Sequence, residues 1–157
     1  MGNLSQASNN AIPYAGQPVA QQREAYFAKD FFTYELDISA LAAGGSTTQT
    51  FTIQADSDFL WTKAAYFADI AAAAQTSSTL IVPLATVLIQ DTGSGRNLMS
   101  SAVPIPSLFG SGGLPMILPR QRLFVARSQV QVTVTNYDAA VTYNIRLSFI
   151  GEKGFRA

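Results

Sequence analysis

Apolar and polar residues alternate with a period of two over much of this chain. Phe32, Tyr34, Leu36 and Ile38 alternate with Thr33, Glu35, Asp37 and Ser39. Val130, Val132 and Val134 alternate with Gln131, Thr133 and Thr135, and Tyr143, Ile145, Leu147 and Phe149 with Asn144, Arg146 and Ser148. Such alternation puts one residue set on a buried face and the other toward solvent or a partner, the signature of a half-buried strand. Thr50–Ala55 reads as a further strand with Phe51 and Ile53 inward, after a turn over Ala42–Ser46 that holds Gly44 and Gly45. Asp56, Ser57 and Asp58 read as a break. Phe59–Phe67 reads as the next strand, with Phe59, Trp61, Ala65 and Phe67 on one face, while Ala64–Ala74 stays open between strand and short helix because alanine favours the helix. Leu80–Gln90 is β-branched and strand-like, with Pro83 implying an edge or bulge. Asp91–Gly95 is a tight turn, Arg96–Ser101 a brief pairing segment, Arg122–Ala126 a strand, and Asn136–Ala140 the final hairpin turn.

About eight strands at short spacing predict an all-β chain, a single antiparallel β-sandwich or jelly roll. Residues 1–29 show no apolar period and many Asn and Gln, so they read as an extended N-terminal arm, with the sandwich domain over 30–157. The arm carries isolated apolar anchors, among them Leu4, Ile12 and Tyr14, suited to ordering against a neighbouring subunit. Val103–Pro119 holds four prolines and eight large apolar residues. Proline excludes it from the interior of a ladder, yet Leu108, Phe109, Leu114 and Met116 are costly to leave in water. They are expected to cap an end of the sandwich or meet another subunit, with Phe109 an anchor buried by a partner rather than by its own core.

Composition narrows the function. Hydrophobic residues make up 48% of the 157, which excludes a disordered chain, and charged residues only 13%, against about 25% in ordinary soluble domains. With a net charge of zero, the chain suits a surface covered by copies of itself or by a partner, in a dimer or trimer. The alternative is a soluble β-domain with a Ser/Thr/Gln/Asn surface. Residues 1–78 carry three basic residues against seven acidic, a net of −4, and residues 79–157 the reverse, +4; such asymmetry favours contacts between subunits. No dense basic cluster interleaved with aromatics points to nucleic acid. No apolar run approaches the roughly 18 residues of a membrane span, and no signal-peptide order stands at the start, so synthesis in the cytoplasm is expected.

Candidate chemistry is sparse. The chain has no histidine and no cysteine, which removes the commonest general base, the usual zinc ligands and any serine triad. Asp56 and Asp58 flank Ser57 without a complete calcium-loop pattern. Gly110–Gly113 lacks the Lys-Ser/Thr of a phosphate loop. Asp91-Thr92-Gly93-Ser94, following Val87-Leu88-Ile89, resembles the aspartic-protease signature, in which two aspartates share a proton. Only one copy is present, so a homodimer would have to supply the second, and Gln90 stands where that family has an apolar residue. The same residues are good turn formers, with Asp91 accepting backbone N–H groups. No catalytic residue, cofactor or metal is therefore assigned. Trp61 and the tyrosines could stack a carbohydrate, but Trp61 lies in a strand pattern, which favours core packing.

Several stretches taken in order carry a resemblance. They are Ile89-Gln90-Asp91-Thr92-Gly93-Ser94-Gly95-Arg96-Asn97-Leu98, Val103-Pro104, Leu108-Phe109-Gly110, Leu114-Pro115, Leu118-Pro119-Arg120, Val132 to Tyr137 and Leu147 to Lys153. Over roughly residues 30–155 the chain resembles capsid decoration (cement) proteins of tailed bacteriophages, of jelly-roll type. The resemblance implies a structural role without catalysis: binding to the capsid exterior and bridging of neighbouring major capsid subunits. Another virion component, such as a tail, connector or head-fibre base protein, is the nearest alternative; a homodimeric protease using Asp91 is a more distant one.

Overall fold

A computed structural model describes residues 28–71 and 81–155. Long strands alternate between two sheets. The first sheet contains β1 (Ala28–Leu41), β10 (Tyr143–Phe155), β3 (Ser57–Ile70) and β8 (Met116–Phe124), in that spatial order. The second contains β2 (Ser46–Thr52), β9 (Gln129–Asn136) and β4 (Ala85–Asp91). Short pieces finish the edges. β5 (Arg96–Asn97) and β6 (Val103–Pro104) pair with β4, and β7 (Gly110–Ser111) runs parallel to β3. All pairings of long strands are antiparallel. The chain is thus an all-β sandwich, as its alternation predicts.

The core lies between the sheets. Leu36 and Ile38 from β1, Val130, Val132 and Val134 from β9, and Ile145, Leu147 and Phe149 from β10 are all buried. Trp61 packs there too, stacked among Phe109, Phe124 and Phe149, with its indole N–H donated to Lys63 O at 2.7 Å.

Four expectations are corrected. Asn136–Ala140 is not a hairpin turn, because β9 and β10 lie in different sheets. Asn136 is fully buried at this crossing and donates to Leu41 O, Ala42 O and Val141 O, while its Oδ1 accepts the Asp138 N–H. Second, the Asp56–Asp58 break ends at Asp56: β3 already begins at Ser57 and continues to Ile70. Third, Phe67 does not share a face with Phe59 and Trp61. The register slips between Trp61 and Lys63, and one extra residue, Thr62, turns the following side chains to the other face. Ala64 and Ala68 then point to the core, and Phe67 is 45% exposed. Opposite the slip, a Cβ on Gly151 would stand 2.0 Å from Leu60 O, so only glycine admits this approach. Fourth, residues 81–84 are not strand; β4 starts at Ala85.

Phe109 also departs from expectation. Pro104 and Pro106 do keep this stretch out of a long ladder, but the chain answers with α1 (Ile105–Leu108), a single turn. Pro106 falls in that first turn, where a missing N–H costs nothing. The Phe109 N–H donates to Ile105 O at 2.8 Å, and this one-turn spacing sends Ile105 and Phe109 together into the core, both at zero exposure. Phe109 is therefore buried by its own domain.

Candidate interaction surface

The outer face of the first sheet follows from its register. Phe31, Glu152, Leu60 and Leu123 form one row across β1, β10, β3 and β8. Thr33, Ile150, Lys63 and Ile117 form the next. Side chains in these rows point away from the core, since their neighbours Phe32, Tyr34, Trp61 and Phe149 point into it. The two rows run across the whole sheet: Phe31 stands at the β1 edge and Ile117 at the β8 edge, with Leu60, Leu123 and Ile150 and the charged Glu152 and Lys63 in the same rows. Leu60 is only 4% exposed because its row neighbours cover it, whereas Phe31 is 76% and Ile117 69% exposed. The turn between β7 and β8 adds Leu114, 80% exposed, held by its N–H to Ser111 O at 3.0 Å. Covering each such side chain is worth about 1.5–3 kcal/mol.

The Val103–Pro119 candidates therefore separate. Phe109 belongs to the core. Leu108 is half-buried against it, and Leu114 and Met116 reach the surface. Leu4, Ile12 and Tyr14 lie outside the described residues; the chain that carries them joins β1 at Ala28, three residues before Phe31. Phe31 was missed from sequence, whereas Ile117 is one of the Val103–Pro119 residues expected to cap the sandwich or meet another subunit. Phe31 lies beside an inward aromatic, and Ile117 gains its outward position only through the pairing of β8 with β3.

Asp91 ends β4 and holds its turn. Oδ1 accepts the backbone N–H groups of Gly93 (3.1 Å) and Ser94 (3.3 Å), and Oδ2 accepts Ser94 Oγ (2.8 Å) and Arg122 Nη2 (3.1 Å). Gly95 takes φ +66°, which closes the turn. Burial alone would push the Asp91 carboxyl up, but the Ser94 hydrogen bonds and the Arg122 guanidinium outweigh it and hold its pKa below the ordinary carboxylate value. Asp58 Oδ1 accepts the Ala126 N–H at 2.8 Å. Among the described residues no group of three or more acidic, Cys or His side chains stands together as metal ligands, and no helix is long and apolar enough to cross a membrane.

No family model, curated protein or solved structure matches the chain.

Proposed function

We propose that the chain is a virion structural protein that binds the exterior of a phage capsid and bridges neighbouring major capsid subunits, as a decoration protein does. The observation that carries this reading is the set of exposed apolar side chains on one side of the first sheet, Phe31 at the β1 edge, three residues after the junction with residues 1–27, and Ile117 and Leu114 at the β8 edge. A clamp across the seams of a shell needs contact area on a stiff platform and a segment that reaches further, and no chemistry. Repetition over a symmetric lattice multiplies weak contacts. The strand order supports the same reading. The order β1-β10-β3-β8 facing β2-β9-β4-β5 is compatible with the proposed jelly roll, an architecture used by viral capsid domains. Self-association as a dimer or trimer belongs to the proposal, as does a place outside the shell. The protease alternative is disfavoured by the Asp91 carboxylate, whose oxygens are committed to its own turn and to Arg122.

The test is co-sedimentation of the purified chain with decoration-free phage heads. Phe31→Ser with Ile117→Ser should lower retention at least about tenfold, a loss of about 1.4 kcal/mol or more, while the thermal melt of the free protein stays put. Retention equal to that of the parent chain would remove the outer face of the first sheet as the docking face, and no retention of the parent chain would remove the shell as the partner.

A further inference from the structure

A cleft of about 590 Å³ opens between the two sheets at the edge formed by β8 and β5, away from β1 and β2. Its floor is apolar, with Leu98, Leu108 and Leu118 beside the edge of Trp61; its rim carries Arg96, Arg120 and Arg122. β8 is shaped to form it. The register passes from Lys63–Ile117 to Trp61–Arg122, so Leu118, Pro119, Arg120 and Gln121 stand opposite Thr62 alone and bow away from β3. On the other wall, the Leu98 N–H is tied to Ile89 O at 3.0 Å.

Three guanidiniums share this cleft, and among the described residues only Arg122 meets a carboxylate there, Asp91. That contact uses Nη2; Arg122 Nε is buried and has no hydrogen-bond partner among the described residues. A buried donor without an acceptor is costly, and a ligand oxygen would remove that cost. Neither Arg96 nor Arg120 is paired with a carboxylate among the described residues. Guanidinium forks match planar carboxylates. They also match phosphate, but the leucine floor would then go unused. Sugars and bases need an open aromatic face. The one aromatic ring here, Trp61, is 3% exposed and committed to the core.

We propose that this cleft receives an acidic peptide segment of a partner protein, with an aliphatic side chain on the leucine floor and flanking carboxylates on Arg96 and Arg120. The cleft adjoins the outer face of the first sheet at Leu123, but the proposal does not depend on the shell reading. The test uses the full chain and the fluorescence of Trp61, its single tryptophan, with calorimetry alongside at low salt. The probes are a blocked Asp-Glu-Leu-Asp-Glu peptide, its Asn-Gln-Leu-Asn-Gln and Asp-Glu-Gly-Asp-Glu counterparts, and inorganic phosphate. The first peptide should bind saturably and at least about tenfold more tightly than any of the other three. Arg96→Gln with Arg120→Gln should abolish that preference without moving the melt, and Arg146→Gln, on the far face, should leave it intact. Equal binding of the amide or glycine peptide, binding of phosphate as tight as that of the acidic peptide, or no saturable binding by any probe would overturn the proposal.

Discussion

Phe109→Ala separates a core residue from an interface anchor. The ring is fully buried, 5.4 Å from Phe149 edge-to-face and 6.2 Å from Trp61 between centroids. Losing the transfer free energy of a buried phenyl costs about 1.5–3 kcal/mol, and losing favourable ring contacts adds about 0.5–1.5 kcal/mol. The void would not close easily. Phe149 sits on β10 in the middle of the first sheet, and Trp61 is tethered by its indole N–H to Lys63 O. A loss of about 3–5 kcal/mol is therefore expected, the range for burying nothing where a phenyl stood. That is a large part of a typical domain's stability of about 5–15 kcal/mol. Urea unfolding followed by tryptophan fluorescence and by far-ultraviolet circular dichroism gives the value, with the two probes coinciding and the urea dependence unchanged. Leu114→Ala is the companion variant, expected within about 0.5 kcal/mol of the parent because the side chain is 80% exposed. A Phe109→Ala loss under about 1 kcal/mol would refute the core placement and return Phe109 to the surface.

Asn136→Ala should cost about 2–3 kcal/mol in the same unfolding assay, because three carbonyls lose their donor at a buried crossing. Arg127 holds φ 68° in the turn before β9, so Arg127→Gly should raise the urea midpoint, by about 0.5–1 kcal/mol of stability once the added freedom of the unfolded chain is subtracted. Asp91→Asn should cost about 1.5–3 kcal/mol near neutral pH, more than a neutral turn would, since the Arg122 contact goes with the charge. The folded carboxyl titrates below its unfolded value; its contribution is full above the unfolded pKa of about 4 and is lost as pH falls through the folded one. The gap between parent and variant should therefore shrink on acidification, and a gap that widens would contradict the Asp91 geometry.

The strands that the sequence makes plain are those with one simple face. β9, Tyr34–Ser39 of β1 and Tyr143–Glu152 of β10 turn every second residue inward, so their alternation carries over from sequence to structure. β3 hides its bulge. Its alanines carry little periodic signal, and Ala64, Ala65 and Ala68 are all buried although Ala65 points outward. Nothing in Trp61-Thr62-Lys63 announces the extra residue; the hint is Gly151, far along the chain and meaningful only once β10 lies opposite. Phe109 shows the limit of arguing from proline. Proline forbids a ladder interior and says nothing against one helical turn. The arginine cleft was invisible for another reason. Arg96 and Arg122 come from different sheets, and sequence showed only the +4 excess of the second half of the chain.

The low charge of the chain has two structural sources, and only one of them bears on docking. The outer face of the second sheet replaces charge with neutral polar rows: Ser46–Thr135 and Thr48–Thr133 share hydroxyl hydrogen bonds of 2.9 and 2.8 Å, and Thr50, Gln131 and Gln90 continue the pattern. Such a face is well hydrated without charge and gives a partner little to desolvate for gain. The first sheet differs. Charges there are partly spent on each other, as with Arg146 and Asp37 at 3.3 Å, and Phe31 and Ile117 stand exposed at its two edges, with Glu152 and Lys63 in their rows. A Ser/Thr/Gln surface describes the second sheet; the first adds the exposed apolar side chains on which the proposed docking rests. Phe31 and Ile117, 76% and 69% exposed at opposite edges of that face, are the apolar area that the proposed docking would cover, and they lie on the other side of the sandwich from the polar rows.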